Sequence, residues 1–183
     1  MIIHAIAINI VLQMNNVAGA PGPELERAQQ EVVRLYRDIG VDVTWSTSTR
    51  QEIAPTVRVV LVPSETGDLR GRSNPVMGAA VVTDRGTGVA YIFYQQVGAQ
   101  ARQYDASVAM ILASAIAHEV AHLLLPAREH STDGLMRACW TRDDFHRAEQ
   151  GQLRFSAEHA ALIRTRATLQ TSVEHQSRRH AAQ

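Results

Sequence analysis

Two histidines with an acid between them, His118-Glu119-Val120-Ala121-His122, are the residues of this chain best suited to chemistry. They end a long apolar run, residues 108–125, whose length and composition predict a buried helix. Residues four apart lie on one face of a helix, so His118 and His122 can both reach one metal ion. Glu119, one residue round the helix, can then act as a general base. A core helix takes in such polar residues only when something satisfies them, so the pattern predicts a zinc site.

A catalytic zinc site takes three protein ligands and keeps a fourth position for water. His130 is the favoured third ligand, because Pro126 ends the helix and lets the chain turn back toward it. An acidic third ligand is the alternative, although Asp133 could instead accept a hydrogen bond from a ligand histidine. The acidic alternatives are Glu129, Asp133, Glu149 and Glu158.

The surrounding pattern predicts a mixed sheet with helices on one face, in an α+β or an α/β fold, of which we expect α+β. An amphipathic helix is expected from Glu24 to Gly40, and shorter helices are expected to follow Thr141 and Ser156. Residues 15–23 and 64–75 have the composition of loops. Strands are predicted at residues 2–12, 41–45, 56–62, 76–83 and 89–97, with 76–83 as an edge strand because of Gly78.

The composition narrows the classes of partner. Lysine plus arginine and aspartate plus glutamate both number 18, so no nucleic acid or anionic membrane is expected as a partner. Cys139 is the only cysteine, which excludes an internal disulfide, and it is expected to be buried. No membrane span is expected, because the longest apolar run contains the HExxH motif. The other histidines are expected to be surface or packing residues: His4, His146, His159, His175 and His180.

The N-terminal residues 1–14 favour a strand over a signal peptide, because no basic residue precedes their apolar part. The chain is then either an exported protein, secreted or periplasmic, whose leader has already been removed, or a protein that never had a leader. The first of these is the expectation. The sequence gives no indication of the oligomeric state.

Residues 118–136 resemble the zincin metallopeptidases, and within them the metzincins, whose pattern is HExxHxxGxxH followed by a methionine turn. The resemblance implies that His118, His122 and His130 bind zinc and that Glu119 is the base. It also implies that Met136 is the turn methionine. This chain departs from the pattern in two ways: Leu125 stands in place of the glycine, and His130 follows His122 by two residues more than the pattern's third histidine does.

The resemblance further implies a single zincin-like catalytic domain over residues 1–174, with an upper part to about residue 125 and a frayed tail at 175–183. This domain would have a twisted sheet, an N-terminal backing helix, a central active-site helix and C-terminal helices. The implied function is a peptidase, most simply an endopeptidase, with one Zn²⁺ per chain and a peptide or protein substrate. A zincin-like binding protein with a non-catalytic zinc is the alternative, and zinc hydrolysis of a non-peptide bond is a third possibility. Substrate contacts would come from Gly78, Ala79, Ala80, Arg137 and Trp140.

Overall fold

A five-stranded mixed sheet with helices packed against it forms the fold, as seen in a computed structural model of the chain. The structure describes residues 8–46, 56–64, 76–82, 88–125 and 130–168. The strands are β1 (Asn9–Asn16), β2 (Asp42–Ser46), β3 (Thr56–Val62), β4 (Gly78–Val82) and β5 (Gly88–Phe93). The helices are α1 (Gly22–Arg37), α2 (Tyr94–Gln103), α3 (Val108–Leu124), α4 (Arg142–Glu149) and α5 (157–168).

The strand order is β2-β1-β3-β5-β4, in which β4 is antiparallel to β5 and the other pairs are parallel. This confirms the predicted α+β class and the prediction that the segment around Gly78 is an edge strand. The centre of β1 does not alternate, and Ile10, Val11 and Leu12 are all buried. In β3 burial alternates, with Val59 and Leu61 fully buried. A strand that is buried on both faces is typical of the middle of a parallel sheet.

Helix α3 runs through the centre of the molecule, and nearly all of its side chains are buried. It packs against α1, α2 and α4 and against the strands β3, β4 and β5. The fully buried Tyr36 of α1 donates a hydrogen bond from its hydroxyl to the carbonyl oxygen of Ala117, at 3.0 Å. This bond joins the backing helix to the turn of α3 that begins at His118.

Helix α3 begins at Val108 without a capping bond from its own N-cap side chain. The carboxylate of Glu149, in α4, accepts a hydrogen bond from the Ser107 backbone N–H at 2.6 Å instead. A carboxylate in this position satisfies a free N–H of the first turn and lies at the positive end of the helix dipole. Helix α4 therefore holds the start of α3, at the end opposite the histidine pair.

Three sequence predictions differ from the structure. The strand predicted at residues 89–97 ends at Phe93, and its last four residues belong to α2, which was not predicted. Strand β1 continues to Asn16, into the segment predicted to be a loop. Cys139 is exposed rather than buried. The predictions for residues 1–7, 65–75 and 169–183 lie outside the described residues, as do Pro126 and Glu129.

No helix in the described ranges is both long and apolar enough to cross a lipid bilayer. The expectation of no membrane-spanning helix holds for this part of the chain.

Candidate metal centre

The two histidines of the HExxH motif lie one turn apart on α3 and face the same side. Their Nε2 atoms are 3.0 Å apart, and their rings meet edge to face with centroids 4.7 Å apart. His118 is 9% exposed, and His122 is partly buried. The spacing of four residues therefore places His118 and His122 on one face of α3, as predicted.

His130 joins this pair from the segment that follows α3. Its Nε2 atom is 3.2 Å from the Nε2 of His122, and the ring is exposed. The ligand atoms of His118, His122 and His130 all lie within 4.8 Å of one another. A backbone hydrogen bond from the Ser131 N–H to the Met136 carbonyl, at 2.9 Å, fixes the segment beside the next turn of chain.

The three nitrogens fit a zinc ion. Tetrahedral zinc with Zn–N bonds of about 2.0–2.1 Å separates its ligand nitrogens by roughly 3.3 Å, close to the two contacts seen here. A histidine nitrogen either carries a proton or offers a lone pair, so His122 Nε2 cannot donate to one neighbour and accept from the other. A cation bound by all three lone pairs removes this conflict. Together, the geometry and the donor set favour a metal.

The carbonyl oxygen of Leu135 determines which nitrogen of His118 faces the other two histidines. It lies 2.8 Å from His118 Nδ1, so Nδ1 carries the proton and Nε2 keeps its lone pair. Asp133 was the candidate for this role, but its side chain is exposed and the backbone of Leu135 takes the position. The same carbonyl accepts a second hydrogen bond from the indole N–H of Trp140, at 3.3 Å.

The turn that presents this carbonyl is held by Gly134 and Arg154. Gly134 has φ +70, in the left-handed region that favours glycine. The Leu135 N–H donates to the Arg154 carbonyl at 2.8 Å, which ties the turn to the segment before α5. Met136 follows and is completely buried in the core. The role of Met136 as a turn methionine stays a prediction.

Burial keeps His118 in the form that a metal requires. Loss of hydration lowers the pKa of His118 from 6.5 to about 4, against the opposing effect of its bond to Leu135, and nearby His130 and His159 lower it further. Partial loss of hydration also lowers the pKa of the more exposed His130, with a smaller effect from His159. Neutral imidazoles at physiological pH are ready to bind a metal without first losing a proton.

Of the acidic alternatives for the third ligand, Asp133, Glu149 and Glu158 lie in the described residues, and none of the three lies with the histidines. Glu149 binds the Ser107 N–H at the start of α3, and eleven residues of helix separate Ser107 from His118, a distance of roughly 16 Å. Glu158 and Asp133 are exposed, and neither belongs to the histidine group. Among the described residues, His130 is therefore the third ligand that the geometry supports.

Glu119 is 8% exposed, and its side chain extends from α3 toward the edge strand β4, where it lies against Gly78. Of the five residues predicted to contact substrate, Gly78 is buried, while Ala79, Ala80, Arg137 and Trp140 are half-buried. Arg137 pairs with the buried carboxylate of Asp144 at 2.9 Å. The substrate contacts stay predictions.

Two contributors to this region were not identified from the sequence. A backbone carbonyl such as that of Leu135 has no side-chain signature. His159 was expected to be a surface or packing residue; it is 7% exposed, and its Nδ1 lies 2.9 Å from the hydroxyl of Ser156 at the start of α5. Its effect on the pKa of His118 and His130 places it near the histidine group. The Ser-x-x-His spacing at a helix start is the one signal that could have indicated an ordered His159.

No family model matches the chain, and no curated protein matches it. Among solved structures, the solution structure of the protein TM1509 from Thermotoga maritima is similar, with a TM-score of 0.39 and 16% sequence identity. The similarity covers 84% of this chain and 88% of that chain. A likeness at this level carries no argument about function.

Proposed function

We propose that this protein is a zinc-dependent peptidase with a zincin-like fold, which binds one Zn²⁺ per chain through His118, His122 and His130. The observation that carries the proposal is the convergence of three histidine Nε2 atoms, with neighbouring contacts of 3.0 and 3.2 Å, next to an acid on the same helix. Three neutral ligands leave room for a water molecule, as catalytic zinc sites do.

When bound, zinc would supply Lewis acidity, which lowers the pKa of water and polarises a carbonyl group. Glu119 accepts the proton of the attacking water and returns it to the leaving amine. Helix α3 is held at its start by Glu149 and at Ala117 by Tyr36, and these contacts restrict the backbone that carries Glu119. Leu135 keeps His118 in the tautomer that offers Nε2, and burial keeps the ring neutral.

The arrangement of the sheet supports the zincin-like assignment. The resemblance implies a backing helix, strands that include an edge strand, and then the active-site helix. The observed elements follow this order, with the additional helix α2 between β5 and α3. The edge strand β4 lies against α3, and its end carries the exposed Val81 and Val82. An extended peptide can add to such an edge through backbone hydrogen bonds. Ala79 and Ala80 lie along this strand, while Arg137 and Trp140 lie in the segment after Met136.

Metal analysis of the purified protein together with a peptidase assay tests the proposal. We expect about one zinc per chain and cleavage of casein or a peptide library that a chelator abolishes and zinc restores. Glu119→Ala is expected to retain zinc and lose cleavage, because the base is removed while the ligands stay. Glu158→Ala, which changes an exposed acid on α5, is the matched control and is expected to cleave normally.

A protein that binds no zinc, or that cleaves equally well with a chelator present, contradicts the proposal. Bound zinc without cleavage of any peptide would favour the alternative of a zincin-like binding protein. Cleavage of a non-peptide ester or amide alone would assign the same metal chemistry to another substrate class.

A further inference from the structure

Gly78, the first residue of the edge strand β4, lies against the side chain of Glu119. A Cβ atom at this position would lie 2.6 Å from Glu119 Cγ and 2.9 Å from Glu119 Oε1. Real Cβ atoms essentially never approach other atoms within 3.0 Å. Any residue larger than glycine would therefore displace the Glu119 side chain or the strand.

The requirement for glycine here is one of space rather than of backbone conformation. The left-handed glycines of the described residues are Gly19, Gly40, Gly134 and Gly151, and Gly78 is not among them. It pairs with Ile92 in a regular antiparallel register, which an alanine could also adopt. The atoms that exclude a side chain are those of Glu119 and the Tyr91 carbonyl oxygen, 2.8 Å from the same Cβ position.

The closest contact involves Cγ, near the backbone end of the Glu119 side chain. Its location determines which part of the side chain must move to relieve a clash. Cγ is the second side-chain carbon, so moving it rotates the whole carboxylate with it. A flexible end that swings aside could relieve a clash at low cost, but here the group that must move is the carboxylate itself. Catalysis depends on placing such a group to within a fraction of an ångström, and misplacement by about 1 Å can cost 100-fold in rate.

We infer that Gly78 is a positioning residue for Glu119: the missing side chain of β4 leaves the space against the edge strand that the Glu119 side chain occupies. The inference rests on the proposed function for its consequence in catalysis. The steric relationship itself does not depend on it. The sequence prediction gave Gly78 a contact with substrate, whereas this role is exerted through Glu119.

A set of double variants tests the steric relationship without measuring activity. Gly78→Ala is combined with Glu119→Ala, which removes Cγ, and with Glu119→Gln, which keeps Cγ and the shape of the side chain. With zinc present, Gly78→Ala is expected to lower the Tm by roughly 5 °C in the natural and Glu119→Gln backgrounds. In the Glu119→Ala background the decrease is expected to be smaller, because only the contact with the Tyr91 carbonyl remains. Gly22→Ala, at a glycine with nothing within 4 Å of its Cβ position, is the control.

Equal decreases in the Glu119→Ala and Glu119→Gln backgrounds would overturn the inference. If Gly78→Ala alone does not fold, the two double variants still test the inference. It requires Gly78→Ala with Glu119→Ala, which lacks Cγ, to be more stable than Gly78→Ala with Glu119→Gln. If neither folds, the Tyr91 contact dominates and the inference is also overturned.

Kinetics test the consequence for catalysis. Gly78→Ala is expected to keep its zinc and its KM while kcat falls roughly 100-fold, since the base is displaced and the ligands are not. An unchanged kcat would overturn the positioning role. Failure of the proposed function gives a different result: no peptide cleavage in the natural protein, with the Tm coupling between residues 78 and 119 intact.

Discussion

His118 Nδ1 and the carbonyl oxygen of Leu135 lie 2.8 Å apart, across 17 residues of sequence. The bond turns Nε2 of His118 toward His122, whose Nε2 is 3.0 Å away. A backbone carbonyl cannot be changed by substitution of its own side chain, so its position depends on the turn that carries it. The ligand on the helix is thus coupled to Gly134 and to the Arg154 backbone.

Gly134→Ala is expected to weaken zinc binding by 10–100-fold and to lower stability. The new Cβ would lie 2.7 Å from the Arg154 carbonyl oxygen, the acceptor of the Leu135 N–H, so the turn must shift and carry the Leu135 carbonyl with it. Titration with a competing chelator measures the affinity. Gly19→Ala is the matched control, since Gly19 has the same φ of +70 but nothing within 4 Å of its Cβ position. Equal zinc affinity in both variants would contradict the coupling.

Glu149→Ala is expected to lower the free energy of unfolding by about 1–2 kcal/mol while one zinc per chain remains bound. The carboxylate caps the start of α3, and its loss leaves the Ser107 N–H without this acceptor.

His130→Ala is expected to show the opposite pattern, with loss of tight zinc binding and little change in the stability of the metal-free protein. Urea unfolding and metal analysis separate the two effects. Loss of zinc from the Glu149 variant would restore Glu149 as a candidate ligand.

Asp144→Asn is expected to lower stability by about 1–2 kcal/mol at neutral pH and to lose this effect in acid. Burial alone raises the pKa of Asp144, but hydrogen bonds from the Thr141 N–H and hydroxyl and the ion pair with Arg137 outweigh it and hold the pKa below 3.8. A depressed folded pKa means that the stabilisation is complete above pH 3.8 and disappears as pH falls through the folded pKa. Unfolding curves from pH 7 to pH 2 measure the difference between the two proteins.

Asp143→Asn is the control for that series, since Asp143 is exposed in the same first turn of α4. It is expected to change stability by less than about 0.5 kcal/mol. A difference between Asp144→Asn and the natural protein that stays constant down to pH 2 would show that the carboxylate charge is not its cause.

Tyr36→Phe is expected to cost about 1 kcal/mol, because it removes one buried hydrogen bond to Ala117 and leaves the ring packing intact. Burial raises the pKa of Tyr36 well above 10.0, so its phenol should stay protonated until the protein unfolds in alkali. Denaturant unfolding measures the cost, and ultraviolet absorbance against pH reports the ionisation. Ionisation of every tyrosine before unfolding would contradict the burial of Tyr36.

The sequence was most informative where a periodic apolar pattern and a chemical motif coincide. Helix α3 ends within one residue of its predicted end, and β3 has its predicted bounds. The capping box of Thr141 and Asp144 confirms the predicted start of α4. In each case the signal is local, since it depends on side chains a few residues apart.

Helix α2 shows why other elements were not predicted. It follows β5 directly at Tyr94, without a glycine or proline to mark the change, and few of its residues are apolar. Its burial comes from contacts with α3, which follows it in the chain. The Leu135 carbonyl and the space at Gly78 likewise depend on tertiary contacts, to His118 and Glu119, and no local pattern reports them.

The parallel strand pairings join segments that are far apart in the chain, and this affects how the protein folds. Strand β1 pairs Val11 with Thr56, and Tyr36 reaches Ala117 across 81 residues, so little of the core can form from neighbouring segments alone. Contacts between such distant segments are slow to form, which predicts folding in milliseconds to seconds rather than microseconds. His130 and Leu135 follow all the described strands in the sequence, and α3 packs against β3, β4 and β5, so we expect the three histidines to converge only once the sheet is in place. Zinc would then bind the finished fold and slow its unfolding, with little influence on the rate at which the sheet forms.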